Sequence, residues 1–155
     1  MRLVFAGTPE PAAAALERDD SLPAVISSTW SGEHTVEPVV EVDEAADLLA
    51  ESARLGMDAL VEVHDEAELA RAIPLGAAMI GVNNRNLKTF DVSFETAIRL
   101  APGIPQDRIA VAESGIGGHA DVRRLREHGL DTILVGESLM RQADVTAATR
   151  ALLFG

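Results

Sequence analysis

Four apolar stretches end in side chains that handle protons, carboxylates or phosphate. Residues 59–63 carry Glu62 and are followed by His64. Residues 77–82 run into Asn83, Asn84 and Arg85. Residues 109–112 are followed by Glu113, Ser114 and Gly115, and residues 132–135 by Gly136, Glu137 and Ser138. Paired carboxylates can take and return protons. An amide and an arginine can orient a carboxylate or a hydroxyl. Glycine-rich turns expose backbone N–H groups beside a helix start, which suits a phosphate. The same glycines also serve tight strand-to-helix turns, so both readings stand at Gly115 and Gly136. Glu62 lies inside Leu-Val-Glu-Val63. An acid there is either turned into a barrel interior or forms one side of a buried pair, because lone buried acids are rare. Arg85 has Glu62 and Glu113 as candidate partners.

The remaining polar residues carry less chemistry. His64 and His119 lie near strand ends without metal-ligand spacing and read as loop or cap residues. His34 and His128 read as solvated. Asp43, Glu44, Asp47 and Glu51 read as the wet face of a helix. No metal and no cofactor are expected. Cysteine is absent, which excludes disulfides and thiolate nucleophiles. A net charge of −12 argues against a nucleic-acid partner. No apolar run approaches twenty residues, so no membrane span is expected. The apolar opening is too short for a signal peptide, which points to the cytoplasm. The expected partner is a phosphorylated small molecule.

These side chains need elements that hold them together. Three segments share one shape: a helix end, a glycine at 56, 76 or 129, then an apolar run. Glycine just past a helix fits the left-handed C′ position. The runs do not alternate, as expected of parallel strands covered on both faces. Residues 108–114 give a fourth. Helices are predicted at 43–55, after Asp65 as N-cap, at 94–100 after Ser93, at 119–128, and after Asp144 with Leu152 and Leu153 inward. Residues 44–155 therefore read as four βα units behind a leading helix. Before them come a strand at 2–7, a helix at 11–18 begun by proline, a strand at 24–28, a polar loop at 29–34 and a weak strand at 36–42 broken by Pro38. That makes six strands, with a seventh in doubt, in a single α/β domain over 1–155. A closed (β/α)8 barrel needs eight strands and roughly 250 residues, so this chain does not make one alone.

The phrases Leu-Gly-Met-Asp-Ala-Leu-Val-Glu-Val-His64, Ile-Gly-Val-Asn-Asn-Arg-Asn-Leu87, Val-Ala-Glu-Ser-Gly-Ile116 and Leu-Val-Gly-Glu-Ser-Leu-Met140 resemble indole-3-glycerol phosphate synthase, the ring-closing decarboxylase of tryptophan synthesis. They stand in family order and spacing over residues 44–153. The resemblance implies half of a (β/α)8 TIM barrel, strands five to eight. It implies that Glu62 is the catalytic carboxylate and that Asn83 orients substrate. It further implies that Arg85, Glu113 and Ser114 line the substrate pocket, and that Gly115, Gly136 and Glu137 cradle the substrate phosphate. The family also uses a glutamate and a lysine on its first strand and a general-acid lysine on its third. Here Lys88 is the one lysine, in the loop after the sixth family strand. Arginine does not release its proton near neutral pH and is a poor substitute. Efficient turnover by this chain alone is therefore not expected, and Glu62 and Asn83 would be vestigial.

Residues 1–18 resemble another family. Met-Arg-Leu-Val-Phe-Ala-Gly-Thr-Pro-Glu-Pro-Ala12 is similar to the opening of methionyl-tRNA formyltransferase, without the catalytic residues that follow there. Two unrelated openings suggest a chimera: residues 1–43 as a foreign N-terminal segment covering the open edge of a half-barrel in 44–155. A bare half-barrel face would otherwise favour a homodimer. The alternative is a minimal synthase working as an oligomer or with a partner half.

Overall fold

The structure, a computed structural model, describes residues 2–6, 24–27, 42–54, 58–86 and 88–155. The predicted helix at 11–18, the loop at 29–34, Gly56 and residues 36–41 of the weak strand lie outside the described residues. The described elements are strands β1 (Arg2–Ala6), β2 (Ala24–Ser27), β3 (Leu60–Val63), β4 (Met79–Asn83), β5 (Ile109–Glu113) and β6 (Thr132–Leu134). With them are helices α1 (Val42–Arg54), α2 (Glu66–Ala72), α3 (Glu95–Leu100), α4 (His119–Glu127), α5 (Glu137–Met140) and α6 (Val145–Phe154). Val42 opens α1 and does not end a strand.

All six strands run parallel in one sheet, in the order β2-β1-β6-β5-β4-β3. The N-terminal strand therefore lies against the last one. In a closed barrel the first strand takes that same place. The described sheet runs from β2 to β3, which do not pair. The fold is α/β and matches part of a TIM barrel.

The βα units form for local reasons. Gly76 and Gly129 adopt φ of +77° and +80° at the ends of their helical segments. The Asp65 carboxylate accepts from Glu68 N at 2.8 Å and caps α2. The Asp144 carboxylate accepts from Ala147 N at 2.9 Å and caps α6. Ser93 Oγ accepts from Glu95 N at 3.3 Å at the start of α3.

The two faces of the sheet differ. Val63, Ile80, Val82, Ala112 and Ile133 have one parity along their strands and pack in the core against Leu69, Leu100, Leu125, Leu152 and Leu153 of the helices. Residues of the other parity include Glu62, Gly81, Asn83, Val111, Glu113 and Thr132. Register lines them up: Glu62 pairs with Gly81, Gly81 with Val111, Val111 with Thr132, and Asn83 with Glu113. The helices cover one face, and the polar strand residues share the other, as on the inside of a barrel. Among the described residues, no helix is long and apolar enough to cross a membrane.

Candidate functional site

The carboxyl ends of β3, β4 and β5 bring Glu62, Asn83 and Glu113 onto one face. Asn83 Nδ2 donates to Glu62 Oε1 at 2.8 Å. Asn83 Oδ1 accepts from Arg85 N at 2.9 Å, which fixes which end of the amide faces the carboxylate. Glu113 is 5% exposed beside Asn83. Its carboxylate has room because β4 carries glycine next to it. A Cβ built on Gly81 would fall 1.9 Å from Glu113 Oε1. Glu62 pairs with that same glycine, so both acids belong to one patch of the sheet.

His64 is more than a loop residue. Its Nε2 lies 3.0 Å from Glu62 Oε1, and its Nδ1 lies 3.0 Å from Glu68 Oε2. Glu68 Oε2 also accepts from His64 N at 2.7 Å. Glu68 stands in the first turn of α2, and its carboxylate is turned toward His64.

Arg85 pairs elsewhere than expected. Its Nη2 lies 3.5 Å from Glu137 Oε2, and Arg141 donates to Glu137 Oε1 at 2.6 Å. Glu137 belongs to the turn after β6, so this contact joins the ends of β4 and β6. Ser138 Oγ donates to the carbonyl of Ile116 at 3.0 Å and joins the two glycine-bearing turns. Within those turns, the N–H groups of Gly117 and Gly118 already donate to Asp121 Oδ2, at 2.9 and 3.0 Å. Gly115 has φ +77°, and a Cβ there would meet Val92 Cγ1 at 2.3 Å. The turn itself therefore requires glycine at this position. Gly136 caps the single turn α5. Ser114 sits at φ +65°.

Asn84, one of the amide pair after β4, ties the patch together. It is 2% exposed. Its Oδ1 accepts from Ala97 N at 3.1 Å and its Nδ2 donates to the carbonyl of Ser114 at 3.3 Å. Its own N–H donates to the carbonyl of Glu113 at 2.9 Å, and its carbonyl accepts from Ser93 N at 2.9 Å. Asn84→Ala is expected to lower stability by about 1–3 kcal/mol, since the buried N–H of Ala97 and the half-buried carbonyl of Ser114 lose partners. A urea unfolding midpoint checks this; an unchanged midpoint would mean that water replaces the amide.

His119 Nδ1 lies 3.1 Å from the carbonyl of Leu152, in keeping with a cap-like role, and His128 is exposed. Lys88 is exposed in the loop between β4 and α3. Among the described residues, no group of His, Asp and Glu is arranged to hold a metal ion.

A family model described as Indole-3-glycerol phosphate synthase matches residues 36–152. The indole-3-glycerol phosphate synthase of Azospirillum brasilense is 52% identical over 114 residues, 74% of this chain and 41% of its own length. That of Sulfurimonas denitrificans is 48% identical over 112 residues, 72% of this chain and 43% of its own. The chain thus spans about two fifths of the length of these curated relatives. Among solved structures, one described as native KDPGal superposes with a TM-score of 0.65 at 13% identity, covering 98% of this chain and 90% of its own. The N-acetylmannosamine-6-phosphate 2-epimerase of Clostridium perfringens gives a TM-score of 0.60 at 14% identity, covering 88% of this chain and 86% of its own. At such identities these two likenesses concern the fold alone.

Proposed function

The chain belongs to the indole-3-glycerol phosphate synthase family, and from that premise we propose that it carries the carboxyl half of such a synthase site. In this reading Glu62 is the catalytic carboxylate, Asn83 orients it and the substrate, and Arg85, Glu113 and Ser114 line the pocket. The turns at Gly115, Gly136 and Glu137 receive the phosphate. Ring closure also needs a cation that gives up a proton, and Lys88 stands on an exposed loop outside the patch. The cationic groups are therefore supplied by another stretch of polypeptide, and the product is indole-3-glycerol phosphate. The observation that carries this reading is the Asn83–Glu62 hydrogen bond on the same sheet face as the buried Glu113. The formyltransferase likeness and the chimera rest on the first residues of the sequence, before the family match begins at residue 36. The homodimer gives way here to the partner-half reading.

Thermal unfolding with indole-3-glycerol phosphate tests the half-site. A ligand bound to the native state at a hundredfold excess over Kd adds about 2.7 kcal/mol. For a chain of this size that raises Tm by roughly 5–11 °C. Gly136→Asp is expected to abolish the shift by setting a carboxylate against the phosphate. No shift at millimolar ligand overturns the reading.

A further inference from the structure

We propose that His64 is a positioning residue for Glu62, itself held by Glu68. The inference rests on the proposed catalytic role of Glu62. The contacts run as one chain, from Glu68 Oε2 through the two ring nitrogens of His64 to Glu62 Oε1 and on to Asn83 Nδ2.

Hydrogen-bond bookkeeping gives the chain its direction. A carboxylate only accepts, so Glu68 Oε2 draws the proton of His64 onto Nδ1, while the backbone N–H of His64 donates to the same oxygen. Glu68 thereby fixes both the ring and its backbone. Fixing Nδ1 aims Nε2 at Glu62. Nε2 is cut off from solvent, and Glu62 Oε1 lies 3.0 Å away. The contact has an ion-pair distance without the alignment of a full hydrogen bond. Such contacts at catalytic groups commonly tighten when substrate binds. Asn83 and His64 both engage Oε1 of Glu62. Together they fix the plane of the Glu62 carboxylate through that one oxygen. The bland alternative makes His64 only a companion of the α2 cap, with Glu68 as its one functional contact.

Two measurements separate these. In the full chain labelled with 15N-histidine, Glu62→Gln is expected to move the Nε2 resonance of His64 and leave Nδ1 in place. Glu68→Gln should move Nδ1. A cap companion would leave Nε2 unmoved by Glu62→Gln, and that result overturns the proposal. The second measurement uses the full chain combined with the front half of a relative. There His64→Ala should lower kcat by up to about 10²-fold with KM unchanged, the scale of a misplaced reacting group. His64→Gln, whose amide N–H can reach Glu62, should restore part of it. A wild-type combination without turnover would count against the proposed function, while the ring-nitrogen response still decides the placement of His64. Turnover unaffected by His64→Ala overturns the proposal.

Discussion

Combined with an excess of the front half of the Azospirillum brasilense relative, the chain is expected to produce indole-3-glycerol phosphate, and Glu62→Gln is expected to lower kcat about 10²–10⁴-fold. The magnitude is that of removing a positioned proton-transferring group. Glutamine keeps the size of the side chain and an oxygen that can still accept from Asn83 Nδ2, so the loss reads proton chemistry and not packing. The chain alone should show no turnover, because Lys88 is its one lysine and lies exposed on a loop. Excess is needed because β1 already pairs along β6, where a front half would dock. Turnover by the chain alone would mean that its arginines suffice. A silent mixture of two folded halves would sink the partner-half reading. A wild-type rate kept by Glu62→Gln would remove Glu62 from the chemistry.

The sequence made the βα units readable because their signals are local. A glycine past each helix marks Gly76 and Gly129, and the structure puts both at positive φ. Asp65 and Asp144 announce caps that form as expected. The polar strand ends also converge as read, since parallel strands in register bring their carboxyl ends to one edge. What stayed hidden depends on partners far along the chain. The place of Glu113 requires that Gly81 be its neighbour across the ladder, and neither residue signals the other. Asn84 bonds residues 13 and 30 positions away. His64 and Glu68 stand four apart, a spacing that reads as an ordinary first helical turn until the ring is seen between two carboxylates. Arg85 had two acids on nearby strands as candidates. Glu137, on the turn after β6, lies within 3.5 Å.

Leu125→Ala is expected to cost about 2–5 kcal/mol, the range for truncating a fully buried leucine. Leu125 is 0% exposed and belongs to the cluster that includes Val122, Leu130, Ile133, Leu152 and Leu153. Its backbone carbonyl also accepts from His128 N and Leu130 N, so the turn at Gly129 holds the site from both sides and limits collapse around the lost side chain. A domain of this size has a total stability of about 5–15 kcal/mol. One substitution thus removes a large share of it. Leu125 lies on the helix-covered side, away from Glu62, Asn83 and Glu113, so the loss should appear in stability and leave the ligand response of the folded fraction intact. Urea unfolding followed by two probes checks this. A lower midpoint at unchanged m-value means that α4, α6 and the sheet unfold as one unit. A drop in m-value, or transitions that separate between the probes, would mean that the described core is not a single cooperative body. A midpoint shift worth under about 1 kcal/mol would mean that the site collapses freely, which a close-packed interior does not allow.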